Sequence, residues 1–261
     1  MSIITLLTDF GTKDHYVASM KGVILTINPR ATLVDITHQV PPHEIEEGAF
    51  ILANAYSSFP RGTIHLAVVD PGVGSQRNPI LLVTGNYFFL GPDNGLFTFI
   101  AQREKIRNAM TITNPKYFLS KVSNTFHGRD LFAPVAGHLS LGVRPESFGK
   151  RIDSWVRLSI PVPEVDGTCL TGQVVHIDSF GNLISNIDEK TLLDFCLNRP
   201  IMVRIGHKTV RTIKRSYWEG RKREPIALVG SGGFLEISVR EGNAQRVLKA
   251  KKGDQVKVQI Q

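Results

Sequence analysis

Asp70 ends an apolar run, Thr63 to Val69, and is followed by Pro71 and Gly72, so a buried strand would hand its carboxylate to a loop. A carboxylate placed there can take a proton or orient a water molecule. Asp-Pro-Gly is also ordinary turn chemistry. Arg77 lies across the loop Pro71-Gly72-Val73-Gly74 and can fold back on the same place, although an exposed loop arginine would read the same way. His127, in Phe126-His127-Gly128-Arg129-Asp130, titrates near neutrality and suits a general base or a water-positioning group. A buried structural histidine, or the cap of the helix after it, fits as well. Asp178 and Asn182 stand at the two ends of a tight turn between apolar runs, a spacing that Asx-turn chemistry alone explains.

Other chemistries lack their signatures. Pro71-Gly72-Val73-Gly74 is not followed by a dinucleotide-type helix, and Ser231-Gly232-Gly233 precedes a strand-like run. A phosphate cradle needs a helix amino terminus behind its glycines, which disfavours a Rossmann dehydrogenase or a nucleotide kinase. There is no G-x-S-x-G elbow. Cys169 and Cys196 have neither C-x-x-C spacing nor a histidine at ligand spacing, so they read as free thiols.

The elements that must position these residues fall into two textures. Up to about residue 150, strand-like runs alternate with helical ones, the pattern of a largely parallel sheet covered by helices. The strands are Ile3 to Leu7, Leu33 to Ile36 and Thr63 to Val69, then a hairpin of Ile80 to Thr84 and Tyr87 to Leu90. Helices are expected over Tyr16 to Ile27, stopped by Asn28-Pro29, and over Ile45 to Tyr56, Leu96 to Arg103 and Leu131 to Leu139. Ligands gather at the carboxyl ends of strands in such sheets, where Asp9 and Asp70 both sit. After a proline-bearing stretch the runs become short and closely spaced, as in a small antiparallel barrel. They are Thr171 to Ile177, Ile201 to Ile205, Thr209 to Lys214, Ile226 to Val229, Phe234 to Val239 and Gln255 to Ile260. The expected fold is therefore α/β: an amino-terminal, mainly parallel α/β sandwich over 1–157, a linker over 158–166, and a smaller antiparallel β-barrel-like domain over 167–261.

With 261 residues, 42% of them hydrophobic, the chain can bury a sizeable core. No apolar run approaches the roughly 18 residues of a membrane span, and the first ten residues carry no leader signature, so a cytoplasmic location is expected. The net charge of +8 is concentrated late, at Lys214-Arg215, Arg221-Lys222-Arg223 and Lys249 to Lys252. No nucleic-acid motif accompanies these runs, and a solvated basic face is the preferred account.

Five motifs occur in order: Leu7-Thr8-Asp9-Phe10-Gly11, Val69-Asp70-Pro71-Gly72-Val73-Gly74 with Arg77, Gly91-Pro92-Asp93-Asn94-Gly95, Phe126-His127-Gly128-Arg129-Asp130, and Asp178-Ser179-Phe180-Gly181-Asn182. Together they resemble the SAM hydroxide adenosyltransferases, the water-using relatives of the fluorinase and chlorinase, over almost the whole chain. The resemblance implies a homotrimer with S-adenosylmethionine held between one subunit's first domain and its neighbour's second, and no metal or other cofactor. It puts the catalytic Asp-Arg-His set on Asp70, Arg77 and His127, with water as the nucleophile. Among substrate contacts it implies Asp9 on the ribose hydroxyls, His43 lining that pocket, Asn94 within its motif, and Asp178 on the methionine ammonium. It implies Asn182 on adenine, Tyr217 stacked on the base, the backbone from Val239 at its edge, and Ser231 near the methionine carboxylate. Halide-using relatives place an arginine directly after that serine; Gly232 stands here instead, which leaves the hold on the carboxylate open.

The implied reaction is an in-line displacement at the ribose C5′, with methionine leaving as a neutral thioether. A cationic leaving group needs no general acid; what water lacks is nucleophilicity. Asp70 would accept or orient its proton, and Arg77 would stabilise the developing hydroxide. Two rivals remain: a non-catalytic module that binds adenosine or S-adenosylmethionine, and a metal-dependent phosphoesterase built on Asp9, Asp70, His127 and Asp178. No D-x-D cluster supports the second.

Overall fold

The apolar run at the amino end extends into strand β1 (Ile3–Thr8). Tyr16–Ile27 coils into helix α1, whose Val17, Met20 and Ile24 face inward at helical spacing. Asn28, restricted by Pro29, leaves helical geometry and ends it. The structure, a computed structural model, describes residues 2–197 and 199–261. The chain divides into two units, Met1–Leu158 and Ser159–Gln261.

In the first unit there follow β2 (Thr32–Thr37), α2 (Ile45–Ala55), β3 (Ile64–Val68), β4 (Pro79–Val83), β5 (Phe88–Pro92), α3 (Thr98–Arg103), β6 (Asn108–Ile112), α4 (Ala133–Ser140) and β7 (Gly149–Arg151). They form a seven-stranded sheet of order β2-β1-β3-β5-β4-β6-β7. The pairings β2-β1, β1-β3 and β3-β5 are parallel. Beyond β5 the pairings are antiparallel, because β4 and β5 are joined as a hairpin and β6 and β7 extend that edge. Helices cover both faces: Leu6 and Leu66 pack toward α1 and α4 with Phe132 and Val135, while Leu7 and Ala67 pack toward α2 and α3 with Leu52 and Ile100. Burial on both faces explains why β3 is apolar at almost every position.

Parallel register decides what comes next. Thr8 pairs with Val68, so Asp9 and Asp70 leave the sheet one and two residues later, side by side at its carboxyl edge.

The second unit contains β8 (Glu164–Asp166), β9 (Cys169–Ile177), β10 (Leu183–Asp188), α5 (Glu189–Cys196), β11 (Ile201–Ile205), β12 (Lys208–Val210), β13 (Ile213–Lys214), β14 (Pro225–Val229), β15 (Phe234–Val239), α6 (Ala244–Leu248) and β16 (Gln255–Ile260). Its sheet runs β12-β11-β16-β9-β10-β15-β14-β13, with β8 on β9, and it curls so that β12 comes against β14. Inward residues alternate along the strands, as Leu170, Val174, Leu235, Ile237, Val256 and Val258 do, and fill the interior. The proline-bearing stretch is not wholly without structure: Glu164–Asp166 pairs with Cys169–Thr171 as an edge strand. Both cysteines are free thiols. No helix among the described residues is long and apolar enough to cross a membrane.

Candidate active site

Three of the expected residues meet in the first unit. Arg77 approaches Asp70 side on, with Nε donating to Oδ1 at 2.9 Å and Nη2 donating to Oδ2. The same Nη2 lies 2.8 Å from His127 Nδ1. The pair is almost wholly desolvated, with side-chain exposures of 9% for Arg77 and 4% for Asp70, and the guanidinium sits over the Phe132 ring. Arg77 has donors only, so His127 Nδ1 must accept, and the neutral ring carries its proton on Nε2. Burial holds the His127 pKa below the ordinary histidine value, and the Arg77 charge pushes the same way. Arg77 Nη1 is buried and has no hydrogen-bond partner among the described residues.

Local backbone explains how residues 50 apart in sequence come together. The loop after β3 turns back at Gly74, whose φ of +80° suits only glycine, and a Cβ there would stand 2.4 Å from the Asn124 carbonyl oxygen. That approach docks the Arg77 loop on the segment leading to His127. His127 itself caps a π-helical turn, Gly128–Phe132, that runs into α4. Such turns recur at functional sites because the extra residue re-aims side chains. Fully buried Asp130 pins the turn by accepting from Ser123 N at 2.8 Å and from Arg129 Nε at 2.6 Å.

Asp9 stands at the neighbouring strand end. Its Oδ2 accepts the His43 backbone N–H at 3.0 Å, and its Oδ1 has no partner among the described residues. His43 is held at a φ of +71°, a rare conformation for a residue with a side chain. It thus touches Asp9 through its backbone. Asn94 has a structural part: its amide donates to the Val69 carbonyl at 2.7 Å and its oxygen accepts from Leu96 N, fastening the loop after β5 to the end of β3.

The remaining expected residues belong to the second unit. Asp178 Oδ1 accepts from Phe180 N and Asn182 N, and its Oδ2 accepts from Asn182 Nδ2 at 2.9 Å. The Asx-turn account is therefore realised, and Gly181, at a φ of +83°, closes the turn. Phe180 projects from it with 75% exposure. Tyr217 donates to Glu236 Oε1 at 2.8 Å, and burial together with that carboxylate raises its pKa. Ser231 is exposed on the β14–β15 turn, and Val239 is buried at the end of β15. The sequence reading missed Glu236, a 6%-exposed carboxylate that also takes the Ser238 hydroxyl at 2.5 Å. A lone acid inside the apolar run Phe234 to Val239 was the signal that could have found it.

A phosphoesterase-type metal site fits these positions poorly. Both Asp70 oxygens face a guanidinium, and that positive charge would repel a cation at the same carboxylate.

A carboxylate, a guanidinium and an imidazole are joined in line at the carboxyl edge of an α/β sheet, an arrangement that can hold and orient a small polar molecule such as water. Residues 4–149 match the family model of the SAM hydroxide adenosyltransferase N-terminal domain, and residues 172–257 match that of the C-terminal domain. The chain belongs to the SAM hydroxide adenosyltransferase family. It is 39% identical to the (R)-S-adenosyl-L-methionine hydrolase of Methanocaldococcus jannaschii, over 99% of this chain and 96% of that one. A fluorinase from Nocardia brasiliensis is 30% identical over 99% of this chain and 97% of its own length. The solved structure of an uncharacterized conserved protein from Thermotoga maritima superposes with a TM-score of 0.93 at 37% identity, covering 98% of this chain and 99% of that one.

Proposed function

We propose that this chain hydrolyses S-adenosyl-L-methionine to adenosine and L-methionine by in-line attack of water on the ribose C5′, with Asp70, Arg77 and His127 handling the water. The observation that carries the reading is the Asp70-Arg77-His127 line, found in a chain whose curated relatives are S-adenosylmethionine hydrolases and fluorinases. Oxygen forms the new bond to C5′ while the C5′–S bond breaks, and its electron pair leaves on sulfur as a neutral thioether. One water proton is lost. Asp70 accepts or orients it, the buried Arg77 Nη1 offers a donor to the oxygen as negative charge develops, and the His127 Nε2–H fixes a further direction around that oxygen. Nucleophile and sulfonium annul each other's charge as they meet, so a dry site favours the transition state over the separated pair. None of these steps calls on a metal.

The name of the Methanocaldococcus relative specifies the R configuration at sulfur, and we extend that choice to this chain. Further along the same reading, Asp9 takes the ribose hydroxyls, and residues of the second unit hold adenine and methionine. The chain assembles as a homotrimer, a state to which the exposed aromatics Phe180 and Trp218 are suited.

Chelator-treated protein incubated with each sulfonium epimer in ¹⁸O-labelled water tests the whole. Label in the adenosine 5′-oxygen, obtained from the R epimer, is the expected result; adenine release, or adenosine without label, would sink the mechanism. Asp70→Asn keeps the shape but removes the base, and should lower kcat by about 10²-fold or more with little change in KM. Undiminished turnover would remove Asp70 from the chemistry.

A further inference from the structure

The turn that carries Asp9 is gripped by residues outside the water-handling set. Phe10 N donates to Thr8 Oγ1 at 3.2 Å, and Thr8 Oγ1 lies 2.9 Å from His38 Nδ1. On the far side of the ring, His38 Nε2 is 3.0 Å from Asp35 Oδ1, while Lys21 Nζ holds Asp35 Oδ2 at 2.6 Å. A ring nitrogen that close to a carboxylate oxygen carries the proton, so Nδ1 accepts from Thr8, whose hydroxyl in turn accepts from Phe10. The Nε2–H is not well aligned on Asp35, so the contact is weak as a hydrogen bond, and the carboxylate's negative charge is what favours the proton on that nitrogen. The backbone of His38 grips the same turn, because Gly11 N donates to the His38 carbonyl at 2.7 Å.

This arrangement needs a local irregularity. Residues 35 and 38 of a regular strand point to opposite faces. The β1–β2 register shifts between Leu6 and Leu7, so that Leu6 faces Asp35 but Leu7 faces Thr37, and the bulge brings both side chains to one side. Thr8 is 0% and His38 5% exposed, which keeps both from touching a ligand and obliges their polar atoms to find partners inside.

We propose that His38 is a positioning residue for substrate binding: through Thr8 and Gly11 it fixes the turn that presents Asp9 Oδ1, and so sets the affinity for the ribose diol. The proposal rests on the reading of Asp9 as the acceptor of the ribose hydroxyls. Thr8→Val and His38→Ala should raise KM for S-adenosylmethionine about tenfold, with kcat kept within about twofold. His38→Asn places an amide oxygen near the position of Nδ1 and should recover most of the loss.

The deciding measurement is a double-mutant cycle between Thr8→Val and Asp9→Ala, with the thermal midpoint of each variant recorded. If Thr8 acts only through Asp9, adding Thr8→Val to Asp9→Ala raises KM no further. Additive losses, or an unchanged KM in folded Thr8→Val while Asp9→Ala weakens binding, overturn the proposal and leave the ribose reading standing. An unchanged KM in Asp9→Ala overturns that reading, and the proposal with it.

Discussion

His127 accepts from Arg77 and is neutral in that role, so on the proposed mechanism its protonation state should govern turnover. Protonation would turn Nδ1 into a donor facing a donor, and the guanidinium charge resists it. Because the folded pKa lies below the ordinary value of about 6.5, the ring stays neutral across neutral pH and gains its proton only further into acid. The expected kcat profile is flat from about pH 8 to about pH 6.5, with loss confined to the acid side. A profile that rises as pH falls through 6.5 would mean that the imidazolium is the active form and would reverse the tautomer assignment. The same logic separates Arg77 from a mere counter-ion. One guanidinium reaches both Asp70 oxygens and the imidazole, which a lysine ammonium, a single point of charge, cannot do at once.

At the scale of elements, loops at strand ends carry the residues of the proposed mechanism, and how they are fastened should decide whether it works. Gly74→Ala would strain a φ of +80° and drive a methyl group to 2.4 Å from the Asn124 carbonyl, so the Arg77 loop must lift off the segment before His127. The expected result is a fall in kcat of about tenfold or more with a shift in thermal midpoint of only a few degrees, since the loop lies outside both cores. Wild-type kcat in that variant would show that docking on Asn124 does not position Arg77. Much of this layout was legible. Helix α1 has the bounds its apolar spacing and Asn28-Pro29 announce, β15 and β16 match their alternating runs, and the strand ends bearing Asp9 and Asp70 are where the apolar runs stop. What escaped lacks a local mark. β7 is only Gly-Lys-Arg and exists because β6 offers it an edge, and β6 was itself passed over. The π-helical turn before α4 has no residue signature, and the β1–β2 bulge that pairs Asp35 with His38 is a property of two strands together. Helix α5 was readable after all, from the Asp188 cap on Thr191 N and the spacing of Leu192, Phe195 and Cys196.

The whole molecule has separate cores in its two units, and a single buried histidine should make one of them acid-sensitive. His65 is 0% exposed in the middle of β3, stacked on Phe89 and edged by Tyr56 and Phe59, with Nδ1 2.8 Å from Thr5 Oγ1. Burial lowers its pKa to about 3. The unfolded chain would take up that proton near pH 6.5, so the contribution to stability is complete above 6.5 and is lost as pH falls from there toward 3. The loss amounts to about 2 kcal/mol by pH 5 and approaches about 5 kcal/mol near pH 3. Each unit holds one tryptophan, Trp155 in the first and Trp218 in the second, so Trp218→Phe leaves a reporter for the unit that contains His65. Urea unfolding of that protein from pH 7.5 to pH 5 should show the decline, and His65→Phe in the same background should flatten it. The substitution should also lower stability at pH 7.5 by about 1–3 kcal/mol, because it leaves the Thr5 hydroxyl buried without its partner. If the two proteins lose stability in parallel between pH 6.5 and 5, the acid sensitivity of this unit lies in groups other than His65.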